Sequence, residues 1–292
     1  MYKHYISKVV LKQFATPATP TIGVLDLNRN ECTTGNTKRL GGVADEDLPE
    51  PDAIENVWRR DVENRLPHVI KQLKAGVALD DPKAVETLGN CIALHFARSR
   101  TLLDLVTGML PDQADQVTDT LLETFTATSA VHALTGLYVT GPAAEQILRD
   151  RVRADLGAKL RESRFVDKQS LQHYRTGQAR VAKHKIEVWH SPSAEFVIAD
   201  TPVVLYGGSE ARVGVRAGIA WDTAEAVFMP VHPHYAVALS KENSWQEATP
   251  EAVVTLNRLQ VKSAAQQIFF RPNTGPGEEI AKALRESAKN GS

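Results

Sequence analysis

The sequence predicts an α+β protein, with a central helical layer packed on an antiparallel or mixed β-sheet formed mainly by the C-terminal half. From Ile54, apolar residues recur every three or four positions, which is the period of an amphipathic helix. After about Lys185 the pattern changes to short apolar runs bounded by glycine and proline, which is typical of strands. Long helices followed by adjacent strands favour this class over alternating βαβ units. We expect a single domain over residues 1–292.

The N-terminal residues predict a short helix and then a strand. Ser7 is a good N-cap for a helix through Phe14, and Ile22 to Leu27 alternates as a strand does. Residues 28–53 are polar, contain glycine, and become acidic with prolines. We therefore expect a loop over residues 28–53.

The helical layer is predicted over residues of about 54–183. Pro67 lies within its first helix and should kink or restart that helix, because proline lacks the N–H that a helix interior needs. Asp80-Asp81-Pro82 should open a second helix that runs through Met109. Later helices are expected to begin at Pro111 and Pro142.

The sheet-rich part is predicted over residues of about 186–240, joined by the N-terminal strand at 22–27. Gly207-Gly208 is typical of a hairpin turn, because no helix follows it to make a phosphate cradle. C-terminal helices are expected over about 250–289, the first ending near Ile268. The strands are expected at 186–189, 195–199, 203–206, 211–215, 221–231 and 235–239.

Composition excludes several classes of protein. The formal net charge of -1 gives no global field toward nucleic acid or a membrane. Cys32 and Cys91 are too few for a metal cluster and are poor evidence for a disulfide. The N-terminus carries charges too early for a signal peptide. The uncharged run from Thr124 to Ala144 contains His132 and Pro142, so we interpret it as a buried helix with its exit loop. A cytoplasmic protein without a membrane partner is predicted.

The stretch EFVIADTPVVLY, residues 195–206, contains the acid of greatest interest. An apolar run ends at Asp200, and Pro202 then interrupts the strand because it cannot donate a ladder hydrogen bond. An acid at such a break is either a hydrogen-bonded structural carboxylate or part of a functional site. The residues alone leave both interpretations open.

Arg98 is the most informative charged residue of the helical layer. It shares a helix face with Leu94 and Leu102, so its guanidinium must meet a carboxylate, carbonyl groups or an anionic ligand. Asp200 and Glu63 are the candidate partners. A structural ion pair and an anion site explain Arg98 equally well.

His232 and His234 form a His-x-His pattern whose imidazoles would point to one side of an extended chain, an arrangement that suits a metal ion. Two histidines are an incomplete ligand set, however, and Pro230 and Pro233 favour a loop. The pattern therefore leaves open whether the protein binds a divalent metal ion as a cofactor. His95 lies on an apolar helix face, where a core histidine is the default interpretation.

Residues 149–185 are rich in arginine and lysine and have few acids, so this segment could bind a nucleic acid or another phosphate-bearing ligand. A solvated helix face, balanced by the acidic loop at 45–52, is the alternative interpretation.

Three motifs, in order over nearly the whole chain, resemble a mainly bacterial family of unknown function: HYISK with Leu11 and Phe14, FVIADTPVVL, and FMPVHPHYAVAL. Members of that family begin His-Tyr-Val-x-Arg-x-x-Leu-x-x-Phe and later carry Ser-Asp-Asn-Pro-Val and Pro-Leu-Ser-Pro. The chain departs from the pattern at Ala199, Thr201 and His232. The resemblance marks these polar positions: His4, Tyr5, Asp200, and more loosely Glu63, Arg98 and Asn257.

Two functions are compatible with this set of residues. The first is a hydrolytic, nuclease-like enzyme acting on a phosphate-bearing substrate, with Asp200 as base or metal ligand and His4 as acid or base. Arg98 would bind the anion, and Glu63 would orient either Arg98 or His4. The predicted substrate-binding residues are Tyr5, His232, His234 and Asn257. The second function is a non-catalytic binding or regulatory module in which the same residues form a buried structural network.

Overall fold

A computed structural model describes residues 2–17, 19–38, 40–44, 53–162, 165–280 and 282. Within these ranges it describes all side chains except those of residues 2–4, 42–44, 53–54, 106–113, 124, 159–162 and 165–167. The chain divides into two compact units, the first formed by Met1–Leu102 with Leu171–Ser292, and the second by residues 103–170. The single domain predicted over residues 1–292 stays a prediction.

Short turns separate many of the helices and strands along the chain. The helices are α1 (Lys8–Leu11), α2 (Ala53–Trp58), α3 (Leu66–Lys74), α4 (Pro82–Ala97), α5 (Arg100–Thr124), α6 (Ala127–Thr135), α7 (Pro142–Glu162), α8 (Phe165–Val181) and α9 (Pro250–Ser263). The strands are β1 (Tyr2–His4), β2 (Thr21–Asp26), β3 (Glu31–Asn36), β4 (Gly42–Ala44), β5 (Lys185–His190), β6 (Ile198–Ala199), β7 (Val204–Tyr206), β8 (Ala226–His232), β9 (Tyr235–Ser240), β10 (Ser244–Glu247) and β11 (Gln267–Phe270).

The strands that the structure describes in the first unit form two larger sheets and one strand pair. One sheet has the order β10-β5-β9-β8-β7, antiparallel except for the parallel pair β10–β5. The other has the order β3-β2-β11-β6 and is antiparallel throughout. β1 pairs with β4. Strands β5 to β11 come from the C-terminal half, so the predicted α+β class is confirmed.

The largest core cluster joins the helices of the first unit to the sheets. Leu88 and Ile92 of α4 pack in one cluster with Ile186 of β5 and Met229 of β8. Gly89 permits the close approach of the end of α8 to α4, because a Cβ there would collide with Cγ1 of Val181. The predicted packing of a helical layer on a sheet is therefore present.

The N-terminal predictions hold in part. Ser7 caps α1 by accepting a hydrogen bond from the N–H of Val9. A five-residue π-helix at Arg59–Glu63 precedes α3, which restarts with Pro67 in its first turn, as the proline predicted. Residues 28–53, expected to be a loop, contain β3 and β4.

Further segments differ from the sequence prediction. α5 runs through Pro111, where a new helix was expected to begin, and the strand expected at 211–215 is reduced to a bridge between Val213 and Tyr206. The helix expected to run from residue 82 through Met109 ends at Ala97, because Ser99 caps a new helix by accepting from the N–H of Leu102. The helix expected to end near Ile268 ends at Ser263, and the apolar residues that follow form β11. Most of α6, expected to be buried, is exposed or half-buried.

Candidate functional site

Asp200 follows β6 and ties together two chain segments. Its Oδ1 accepts a hydrogen bond from the N–H of Ala265 at 2.8 Å, and its Oδ2 accepts from Gln266 at 2.9 Å and Gln267 at 3.1 Å. Its main-chain N–H donates to the carbonyl of Gln267 at 2.9 Å. The residue is 0% exposed. Asp200 therefore fixes the turn between α9 and β11, with both carboxylate oxygens engaged.

Burial raises the pKa of Asp200 to about 6. The three main-chain N–H groups and the charge of Arg100 act in the opposite direction, because they favour the ionised carboxylate. A raised pKa is common in active sites, but here it accompanies a closed set of hydrogen bonds within the protein.

Two side chains of α9 hold the stretch that contains Asp200. Asn257 accepts from the N–H of Val197 and donates to the carbonyl of Glu195, each at 2.9 Å. Gln260 accepts from the N–H of Ala199 at 2.9 Å and donates to the carbonyl of Pro202 at 2.8 Å. Asn257, predicted to bind substrate, therefore engages both its amide oxygen and its amide nitrogen with the main chain.

Arg98 lies at the C-cap of α4 in a cluster of its own. Its Nη2 is 3.0 Å from Oε1 of Glu55, and its Nη1 is 3.3 Å from Oε1 of Glu63. The guanidinium carbon lies 4.4 Å from the ring centre of Trp58. The Arg98 side chain is only 5% exposed. The structure thus brings Arg98 and Glu63 together but pairs Arg98 with two glutamates, not with Asp200.

Tyr5 lies beside Arg100, a residue that the sequence reasoning missed. Nη1 of Arg100 donates to the Tyr5 hydroxyl at 3.2 Å, and the main-chain N–H of Arg100 donates to the carbonyl of Asp200 at 3.2 Å. Tyr5 itself is buried. The backbone of His4 lies in β1 opposite Gly42, and its side chain lies outside the described part of the chain.

His95 is a core histidine, as its default interpretation held. Its Nδ1 donates to the carbonyl of Cys91 at 2.8 Å, and its Nε2 accepts from the N–H of Ser7 at 3.1 Å. Burial lowers the pKa of His95 to about 3. The ring therefore stays neutral and links α4 to the cap of α1.

His232 ends β8, and His234 lies beside it in the turn that leads into β9. The N–H of His234 donates to Nδ1 of His232 at 3.0 Å, and Nδ1 of His234 donates to the carbonyl of Ser191 at 2.9 Å. Burial, together with the nearby charges of Lys74, His234 and Arg271, lowers the pKa of His232 to about 3. Each of the two imidazoles is therefore hydrogen-bonded to the protein through its Nδ1 atom.

Glu195, the first residue of the EFVIADTPVVLY stretch, completes this histidine group. Its Oε1 lies 2.7 Å from Nη1 of Arg271 and 3.6 Å from Nε2 of His234. Its Oε2 is buried without a hydrogen-bond partner in the described part of the chain. Nothing local in the sequence distinguishes Glu195 from a solvated acid, because Arg271 approaches it from a distant part of the chain.

A cleft of about 730 Å³ opens beside this group along one face of α9. We call it the α9 cleft; its lining includes Glu195, His234, Val254, Asn257, Arg258 and Lys262. Two of the predicted substrate-binding residues, His234 and Asn257, thus share a concave surface, and His232 supports it through His234. Arg258 and Lys262 were missed, since exposed basic residues on a helix are common.

The metal and nucleic-acid predictions find no added support in the geometry. Among the residues that the structure describes, no three His, Cys, Asp or Glu side chains lie close enough to hold a metal ion together. In residues 149–185, Arg149 pairs with Asp119 and Glu145, and Arg153 pairs with Asp115. These arginines are balanced by acids of their own unit, and a phosphate-bearing partner stays a prediction.

The described helices include none that is both long and apolar enough to cross a membrane.

The sequence matches a family described as Protein of unknown function (DUF4238) over residues 2–274. No curated protein and no solved structure matches the chain. The match covers nearly all of the sequence and confirms the resemblance seen in its motifs. The chain belongs to the DUF4238 family of proteins of unknown function.

Proposed function

We propose that this protein is a non-catalytic binding module in which the polar residues marked by the family pattern form a structural network. Asp200 carries this proposal. A general base or metal ligand needs a lone pair that a substrate or metal can reach. Asp200 is fully buried and directs both oxygens at three main-chain N–H groups, so its hydrogen bonds serve the turn between α9 and β11.

Arg98 supports the same function. An anion clamp presents its guanidinium to the ligand, whereas Arg98 is buried against Trp58 and neutralised by Glu55 and Glu63. Removing one member of such a group leaves an uncompensated charge, which makes it a strong structural tie. The α9 cleft shares Asn257 with this network, and its other polar side chains lie outside the network; we assign it as the binding surface of the module.

The hydrolytic function predicted from the sequence is the second candidate, and His234 favours it. Because Nδ1 of His234 donates to the carbonyl of Ser191, its Nε2 carries the lone pair in the neutral ring. That atom lies beside Glu195 in the lining of the α9 cleft, where it could accept a proton. In this function His234 takes the role expected of His4.

A melting experiment combined with an activity assay distinguishes the two candidates. Under the proposed function, Asp200→Asn and Arg98→Gln lower the melting temperature, and the wild-type chain does not hydrolyse p-nitrophenyl phosphate or bis(p-nitrophenyl) phosphate. The proposal is wrong if the wild type turns over either ester and Asp200→Asn abolishes turnover at an unchanged melting temperature. Turnover that His234→Gln abolishes, with Asp200→Asn active, would establish the hydrolytic candidate at the α9 cleft.

A further inference from the structure

The α9 cleft has the size and composition of a small-molecule site. Its volume of about 730 Å³ falls within the roughly 300–1,000 Å³ that is usual for ligand pockets. Its lining combines an apolar surface with a few charged groups, and both parts come from described residues of the first unit.

The apolar part of the lining is built on α9 and on the segment after β11. Val254 is 46% exposed, which is high for a large aliphatic side chain, and Val253 and Val261 lie beside it in the lining. Pro276 and Ile280 contribute from the segment after β11. A ligand with an apolar body would cover this surface and remove it from water.

The charged part of the lining follows the same helix face. Arg258 and Lys262 lie one and two turns after Val254, so the three side chains are neighbours along α9. Lys262 contacts Glu210 at 2.8 Å. Arg258 makes no hydrogen bond or ion pair with another residue in the described part of the chain. Its charge helps to lower the pKa of Glu210, the carboxylate that Lys262 binds, while its guanidinium donors stay available for a carboxylate or phosphate.

The surroundings of the histidines disfavour a cation. The carboxylate of Glu195 is neutralised by Arg271, and Lys74 adds a second positive charge close enough to lower the pKa of His232. Glu279 also lines the cleft and forms no ion pair with a described residue, so the excess of positive charge around the cleft is small. The positive groups thus recognise one anionic group, not an extended polyanion.

We infer that the α9 cleft binds an amphiphilic anion, a carboxylate or phosphate carried on an apolar body. This inference rests on the proposed function, because it names the ligand class of the binding module. The anionic group would contact Arg258 and Lys262, and the apolar body would cover Val254 and its neighbours.

Isothermal titration calorimetry of the full-length chain tests the inference with five probes, the amphiphiles being kept below their micelle concentrations; one of the five, decyltrimethylammonium, reverses the charge. Decanoate and decyl phosphate carry both features, decanol lacks the charge, and inorganic phosphate lacks the apolar body. We expect decanoate or decyl phosphate to bind at least about tenfold more tightly than decanol and inorganic phosphate, since each feature contributes a separate interaction.

Two matched variants place the ligand in this cleft. Arg258→Gln should weaken binding of the tighter amphiphile about tenfold or more, as expected for the loss of one charge-assisted hydrogen bond. Lys241→Gln removes the same charge from an exposed residue outside the lining and should leave the affinity unchanged. Val254→Ser should weaken decanoate and decanol alike, because it acts on the apolar body only.

Three results would overturn the inference: decanol binding as tightly as decanoate, decyltrimethylammonium binding more tightly than decanoate, or Arg258→Gln and Lys241→Gln giving the same affinity. Absence of binding by all amphiphiles would also overturn it, while the melting test of Asp200→Asn still decides the proposed function. Hydrolysis of decyl phosphate, detected as released inorganic phosphate, would instead contradict the proposed function and leave the assigned ligand class standing.

Discussion

Replacing Asp200 with asparagine is expected to destabilise the protein strongly at neutral pH. Asparagine has the shape of aspartate but only one oxygen, so its other terminal atom becomes a donor. If the amide oxygen accepts from Gln266 and Gln267, the NH₂ group faces the N–H of Ala265. The substitution therefore leaves one main-chain donor and the two amide hydrogens without acceptors in a site that is 0% exposed.

The magnitude follows from those unsatisfied groups. A buried polar group without a partner costs about 1–3 kcal/mol, and breaking a buried charged interaction costs about 3–5 kcal/mol. We therefore expect Asp200→Asn to lower the free energy of unfolding by about 3–5 kcal/mol. For a chain of this size, that corresponds to a melting temperature lower by on the order of 10 °C.

The assay is urea unfolding at pH 7.5, followed by tryptophan fluorescence. Asp80→Asn is the matched control, because Asp80 is exposed and lies outside this network, so its effect should stay within about 0.5 kcal/mol. An Asp200→Asn midpoint equal to that of the wild type would refute the structural role of the carboxylate.

The free energy of unfolding of the same variant should differ from that of the wild type in its dependence on pH. Because burial raises the pKa of Asp200 to about 6, the folded state binds a proton that the unfolded state does not between about pH 3.8 and 6. This contribution to stability is present at low pH and is lost as the pH rises through about 6. A protonated carboxyl still accepts N–H bonds, whereas the asparagine NH₂ does not. The stability difference between wild type and Asp200→Asn should therefore widen by about 1.4 kcal/mol from pH 7.5 to pH 5.

Three further substitutions test neighbouring parts of the network by urea unfolding. Arg98→Gln should cost about 3 kcal/mol, because it leaves Glu55 and Glu63 half-buried without their cation, and an unchanged midpoint would contradict this. His95 has a pKa lowered to about 3 by burial, so its contribution is present above about pH 6.5 and decreases by about 2 kcal/mol by pH 5. His95→Gln should remove that decrease, and a slope equal to that of the wild type would show that another group causes it. Asn257→Ala should cost about 2 kcal/mol for two lost buried hydrogen bonds, and a cost below 0.5 kcal/mol would show that they contribute little.

Much of the fold was predictable because local patterns determine it. Ser7 caps its helix as a serine before an apolar run should, and Pro67 restarts a helix because it lacks an N–H. The position of Asp200 at a break after a strand was also readable, because Pro202 forces that break. The hydrogen-bond partners of Asp200 could not be predicted, because they are main-chain N–H groups, which nearly every residue has.

The remaining features depend on contacts between distant segments. The residues of β11 are apolar and follow a helix, so their pattern alone is compatible with a longer helix. They form a strand because β2 and β6 pair with them on both sides. Arg98 and Glu63 were correctly paired as candidates, but Glu55 and Trp58 of α2 join the cluster through tertiary contacts with Arg98 that the local sequence does not indicate.

Hydrogen exchange of the amides of Ala265, Gln266 and Gln267 tests most directly whether Asp200 is a structural residue. In the wild type, the three N–H groups bonded to the carboxylate should exchange only through cooperative unfolding. In Asp200→Asn they should exchange about a hundredfold faster or more, in proportion to the lost stability. Fast exchange of all three amides in the wild type, at the rate of an open loop, would contradict the account and return Asp200 to the candidates for chemistry.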